Sequence, residues 1–131
     1  MKLSSKARYG LKAVCELAKN YGQTMPLSQI ALNTELSEGY LEQLFLALRK
    51  AEIIGSVRGV SGGYFLIKAP QNISVGEVLR VLEDGLQIVD CIHGNCNAKC
   101  HCSTHDVWNK LYLQINNFLD SITIQSIIDE G

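Results

Sequence analysis

No stretch of this chain approaches the roughly 20 consecutive apolar residues that a membrane-spanning helix needs, so a membrane partner is not expected. The opening Met-Lys-Leu-Ser-Ser-Lys lacks the apolar core of a secretory signal, and the expected location is cytoplasmic. There is no repeat and no low-complexity segment. The paired Cys-x2-Cys units of zinc ribbons are missing, and ferredoxin spacings do not fit. A Cys-x-x-Cys on a thioredoxin-like pattern, a Ser–His–acid set and a phosphate-cradling glycine loop ahead of a helix are all missing too, which argues against an enzyme.

What is present is enough apolar side chain (47% of 131 residues) to bury the core of one domain. The formal charge of −1 hides an asymmetry. Residues 1–70 hold nine Lys/Arg against five Asp/Glu, a net +4, and residues 71–131 hold three against eight, a net −5. A basic front half joined to an acidic back half suits a polyanion-binding module coupled to something else, although +4 over such a length is also ordinary.

Four of the five cysteines and all three histidines fall within the fifteen positions Cys91–His105. Thiolates and imidazoles are the donors that hold zinc or iron–sulfur clusters, and clustered thiols in a reducing compartment are ligands or redox groups more often than disulfides. Cys91, Cys96, Cys100, Cys102 and His105 exceed by one the four ligands that a tetrahedral zinc or an iron–sulfur rhomb requires. Cys102 and His105 stand three apart at the expected start of the last helix, so they share a face, where the helix dipole favours a thiolate. Cys91 and Cys96 come from the preceding loop and can close over a metal. Cys100, two residues before Cys102 in a stretch expected to be extended, is expected to point elsewhere, and His93 and His101 read as solvent-facing. A metal-free thiol cluster is the plain alternative. Cys15, far away, reads as a packing residue.

Along the chain, Ser4–Tyr21 reads as a helix capped by Ser4 or Ser5, with Leu11, Val14, Cys15 and Ala18 on one face and Gly22 at its end. Leu27–Thr34 is a short second helix. Ser37 caps a third, running to about Ala51, with Leu41, Leu44, Phe45 and Leu48 as its apolar stripe. Ile53–Ile67 reads as a hairpin about a glycine-rich turn. Ser74-Val-Gly-Glu77 reads as a capping box opening a fourth helix to about Glu83. A long helix starts near Ser103 and runs to about Asp120, with a helical tail to Asp129. Its residues Trp108, Leu111, Tyr112, Ile115, Phe118, Leu119 and Ile122 form a stripe wider than one contact needs, so it suits packing on its own domain and on a partner.

Helix, tight turn, helix and glycine-tipped hairpin is the order of a winged helix-turn-helix: a mainly α fold with a small β wing. The expected organisation is a DNA-binding domain over 1–83, a cluster-binding loop over 84–105 and a dimerisation helix with tail over 103–131. The third helix is the expected reader of the major groove. Opposite its stripe lie Gly39, Gln43, Leu46 and Lys50, with Glu42 on the flank. Gln43 matches adenine, Glu42 can accept from a cytosine amine, and Ser37 with the adjacent free N–H groups suits phosphate. Arg58 at the wing tip suits a narrow minor groove. Lys2, Lys6 and Arg8 suit nearby phosphates. Ser4, Tyr40, Gly59, Ser61 and Gly62 complete the expected DNA-facing set. Each residue taken singly reads as ordinary solvated surface or turn chemistry; the ordered set points to DNA.

The segments Met1-Lys-Leu-Ser-Ser-Lys-Ala-Arg-Tyr-Gly10, Tyr40-Leu-Glu-Gln-Leu44, Leu48-Arg-Lys50, Ser56-Val-Arg-Gly59 and Gly62-Gly-Tyr64 resemble the Rrf2 family of bacterial transcription regulators over nearly the whole chain. Cys102-Ser-Thr-His105-Asp-Val-Trp108 resembles its iron–sulfur cluster regulator (IscR-type) branch. The resemblance implies a symmetric homodimer on a pseudo-palindromic duplex operator, acting mostly as a repressor. It also implies a 2Fe–2S cluster on Cys91, Cys96, Cys102 and His105, supplied by the iron–sulfur assembly machinery. In the resembling regulators, the residue matching Glu42 helps to discriminate two classes of DNA site. The gap from Cys91 to Cys96 is one residue shorter than the branch pattern, and Cys100 is an extra thiol and possible alternate ligand. Other branches carry a 4Fe–4S cluster sensing nitric oxide, sense iron, or work without a cluster in cysteine metabolism; a zinc-stabilised protein is a further alternative.

Overall fold

The computed structural model describes residues 3–83 and 104–131. Lys2, the residues Cys91, Cys96, Cys100 and Cys102, and most of the expected cluster-binding loop lie outside the described residues. Among the described residues there are six α-helices and one two-stranded antiparallel sheet. No helix among them is long and apolar enough to cross a membrane.

Helix α1 (Ser5–Lys19) starts where Ser4 Oγ accepts the Ala7 N–H at 3.1 Å, the expected cap. Its buried face is Ala7, Gly10, Ala13, Val14, Leu17 and Ala18. Leu11 and Cys15, expected on that face, are half-buried at its margin. Small residues line this face because α4 (Val75–Glu83) lies close against it: a Leu82 methyl occupies the space that a Gly10 side chain would need.

Pro26 precedes α2 (Leu27–Thr34), and Glu35 turns the chain with a φ of +61°. Ser37 Oγ then accepts the Tyr40 N–H at 3.2 Å and opens α3 (Glu38–Lys50). Leu41, Leu44, Phe45 and Leu48 are fully buried, as the stripe predicts. Strands β1 (Ile54–Val57) and β2 (Gly63–Leu66) pair in a register that sets Ile54 opposite Leu66 and Val57 opposite Gly63. The hairpin is anchored by a contact that the sequence pattern does not announce. Met25 exchanges both backbone hydrogen bonds with Tyr64, at 2.9 and 2.8 Å. That places the Met25 carbonyl where a side chain on Gly63 would stand. The Tyr64 ring packs on Phe45, with centroids 4.6 Å apart, joining the wing to α3.

After a 3-10 turn (Pro70–Asn72), Ser74 Oγ accepts the Glu77 N–H at 3.0 Å, so the Ser half of the capping box is present. The reciprocal half is not made as expected, because the Glu77 carboxylate turns to Lys68 Nζ at 2.7 Å. Helix α5 (His105–Ser121) packs on α4, and α6 (Ile124–Glu130) returns to α1. A short bridge ties the α5–α6 corner to the start of α4. Val75 N–H donates to Ile122 O at 2.8 Å, and Ile124 N–H to Ile73 O at 2.9 Å.

Gly63→Ala forces backbone against backbone and is expected to cost about 1–3 kcal/mol in urea unfolding. Gly39→Ala, where nothing lies within 4 Å of the added carbon, is expected to be neutral or slightly stabilising. Equal effects of the two changes would contradict the close approach.

Candidate nucleic-acid interface and effector region

Two faces of α3 are cleanly separated. The inner one is the buried stripe. The outer one exposes Gly39, Glu42, Gln43, Leu46 and Lys50. Glu42 and Gln43 make no hydrogen bond to any described residue, so their polar groups are open to a partner. Gly39 leaves a gap at the first turn, so another molecule can approach the backbone there. Ser37 spends its oxygen on the cap, which leaves its O–H free to donate.

The N-terminal half of α1 is joined to this turn by an aromatic pair. The Tyr9 and Tyr40 rings meet edge to face, 6.2 Å apart. Arg8 lies over the Tyr9 ring at 5.5 Å and reaches Ser5 Oγ at 3.4 Å. Arg8, Tyr40 and Ser37 are thereby brought into one neighbourhood, with Tyr9, which was not among the expected site residues, as the link. Lys6 is exposed. Ser4 is used inside the chain. Its oxygen caps α1, and its backbone N–H donates to the Glu83 carboxylate at the end of α4.

At the wing, Gly59 takes a φ of +111°, a conformation that favours glycine, and Gly62 N–H closes the turn on Gly59 O at 3.0 Å. Arg58 and Ser61 are exposed, and Arg58 forms no ion pair with a described residue. The Ser61 carbonyl accepts from Thr24 Oγ1 at 3.3 Å, steadying the tip against the loop after α1.

In the candidate effector region, His105 is the first residue of α5 and is half-buried. The broad stripe of α5 divides. Leu119 and Ile122 pack on the core, and Trp108, Tyr112 and Ile115 are half-buried. Leu111 and Phe118 face outward, 41% and 64% exposed, with Val107 beside them at 57%. Among the described residues no group of three or more His, Cys, Asp or Glu can hold a metal.

The strongest polar feature here is absent from the sequence reading. Asn116 is buried in the middle of α5. Its Oδ1 accepts from Arg80 Nε at 3.1 Å and Nη2 at 3.0 Å, and its Nδ2 donates to Tyr112 O at 2.8 Å. Arg80 Nη2 also reaches Asp120 at 2.7 Å. The Asp120 carboxylate and the Arg80 guanidinium fill the space beside Gly76, so a side chain there would break the arrangement. One signal was available: an Arg on one helix facing Asn and Asp four apart on another. Only the register of α4 on α5 shows that they meet.

Hydrogen bonds from Ser4, helped by Lys6, hold the Glu83 carboxyl below its usual range. A carboxylate with a depressed pKa stabilises the fold above the unfolded-state value, and that contribution fades as pH falls through the lowered one. Glu83→Gln is therefore expected to be less stable than the parent at neutral pH, with the difference vanishing in acid; a constant difference across pH would contradict this. Arg80→Ala leaves the buried Asn116 oxygen without a donor and is expected to cost about 1–3 kcal/mol in chemical denaturation. Asp120→Asn, at a half-exposed pair, is expected to cost less.

A family model described as Rrf2, iron-dependent transcriptional regulator, matches residues 3–130. The HTH-type transcriptional regulator IscR of Vibrio campbellii is 36% identical over 133 residues, covering 100% of this chain and 79% of the relative. Among solved structures, T. potens IscR superposes with a TM-score of 0.80 at 39% identity, over 99% of this chain and 88% of the other. CymR of B. subtilis, described as the global cysteine regulator, superposes with a TM-score of 0.83 at 36% identity, over 100% and 98%. The six helices and hairpin are the winged-helix arrangement of these regulators. The chain belongs to the Rrf2 family of transcriptional regulators, and its IscR relatives support a place in the IscR branch.

Proposed function

We propose that this chain is a cytoplasmic, homodimeric DNA-binding regulator, mostly a repressor, whose output follows iron–sulfur cluster status. Residues 1–83 bind duplex DNA, 84–105 hold the cluster and 103–131 carry the dimer helix. The observation that carries the reading is the position of His105. It opens the helix that Arg80 clamps to α4, so anything held by His105 is coupled to the element packed against α1.

Cys91, Cys96, Cys102 and His105 are the ligand set, with Cys100 as the alternate. Three thiols and an imidazole are a donor set suited to a 2Fe–2S cluster. When bound, such a cluster supplies an occupancy that depends on the cell's cluster supply, with the iron–sulfur assembly machinery as donor. His105 is the one donor of the set that is not a thiolate, and without it the set falls one short of the four ligands that such a cluster requires.

On DNA, α3 enters the major groove of each half of a pseudo-palindromic operator. Gln43 and Glu42 reach base edges, while Ser37 and the backbone beside Gly39 and Tyr40 meet phosphate. Arg58, carried by the Gly59–Gly62 turn with Ser61, enters the minor groove. Lys2, Lys6 and Arg8 neutralise flanking phosphates, and Ser4 positions them through its cap. Two copies associate through the outer face of α5, where Leu111 and Phe118 are exposed. Trp108, Tyr112 and Ile115 border that face, and Leu119 and Ile122 brace it from the core side.

Similarity to the global cysteine regulator CymR favours a second reading, a family member that works without a cluster. Anaerobic purification with iron and sulfide analysis separates the two. The proposal expects a coloured protein with about two iron and two sulfide per chain, loss of both in His105→Ala and retention in Cys100→Ala. A colourless wild-type protein with neither iron nor sulfide supports the cluster-free reading, and stoichiometric zinc supports a zinc-stabilised one. Phe118→Glu is expected to shift the species seen by light scattering from dimer toward monomer.

A further inference from the structure

We propose that Leu46 is a specificity-determining residue, packing on the 5-methyl group of a thymine in the major groove. This rests on the DNA reading above and adds a base to it. Leu46 is 54% exposed in the middle of the outer face of α3. The core-facing side of that helix is complete without it, since Leu41, Leu44, Phe45 and Leu48 are all fully buried. Its neighbours along the same surface are Glu42, Gln43, Arg49 and Lys50, all exposed and polar. Leu46 is therefore an isolated apolar group in a polar strip, too small and too charged at its borders to seat an apolar protein surface.

The major groove offers one apolar feature of matching size, the thymine methyl, on base edges otherwise read by hydrogen bonds. Leu46 stands three residues after Gln43. At a rise of about 1.5 Å per residue it lies roughly 4.5 Å further along the helix axis, comparable with the ~3.4 Å step between base pairs. A Gln43 side chain on adenine thus leaves Leu46 over a base one or two pairs away. Leucine cannot hydrogen-bond there, so it favours T·A over the other pairs by burying the methyl.

The test uses the tightest duplex that this protein selects from a random pool. Each thymine is replaced in turn by deoxyuridine, which removes only the methyl. Wild-type protein is expected to bind about fourfold more weakly per half-site when one particular thymine is replaced. Leu46→Ala is expected to bind the thymine and deoxyuridine duplexes equally, with its circular dichroism unchanged. Leu46→Met, which keeps an apolar tip, is expected to retain the discrimination. Equal binding of every deoxyuridine duplex by wild type overturns the proposal, as does undiminished discrimination in Leu46→Ala. Failure to enrich any duplex overturns the DNA reading itself, an outcome distinct from a duplex bound without regard to the methyl.

Discussion

The guanidinium of Arg80 holds the two halves of this molecule in register. It satisfies the oxygen of an asparagine buried in α5 and pairs with Asp120 one turn further on. The planar fork of arginine suits this double duty, which a lysine ammonium cannot match in geometry. Gly76 supplies the room, and the backbone bridge between Ile73–Val75 and Ile122–Ile124 closes the far side. Together these contacts fix the start and middle of α4 against the C-terminal half of α5, and the cysteine-rich run connects those two helices in sequence. The end of α4 is in turn tied to the start of α1 through Glu83 and Ser4. A physical route thus runs from the helix that His105 opens to the cap of the helix bearing Lys6 and Arg8.

The half proposed to face DNA is built on close backbone approaches more than on charge. A net +4 over residues 1–70 is modest for a polyanion binder. The proposed dimer doubles it, and the contacts proposed for α3 and the wing supply the rest. Rigidity matters for such contacts. Tyr64 is shared between the Met25 bridge and the Phe45 ring, so the wing is tied to the segment before α2 on one side and to α3 on the other. The Tyr9–Tyr40 pair does the same for the start of α1.

Much of the fold was legible because its signals are local. Ser4, Ser37 and Ser74 cap the helices that they were expected to cap, and the α3 stripe is buried as its spacing demands. What escaped depends on residues distant in sequence. Met25 joins the sheet only because β2 arrives beside it. Asn116 carries no signal of its own in the sequence, and its role follows from Arg80 being brought to it. Glu77 fits a capping box until Lys68 offers a stronger partner. The last helix announces a broad apolar face, but only packing divides it into a side turned to the core and an outer side of Leu111 and Phe118. The expected DNA-facing set rests on an order of elements and on resemblance, and Tyr9, which links two of those elements, is not part of it. The ligand set rests on donor chemistry and resemblance, with His105 alone among the described residues.

The central claim is that cluster state at the Cys91–His105 run changes what the α3 face and the wing read. The most direct measurement is selection of duplexes from a random pool by the protein in two forms, anaerobically purified and stripped of iron by chelation. The account predicts a two-fold-symmetric motif in each case, with the preferred sequence or its affinity differing between the forms. Identical motifs bound with identical affinity by both forms would contradict it.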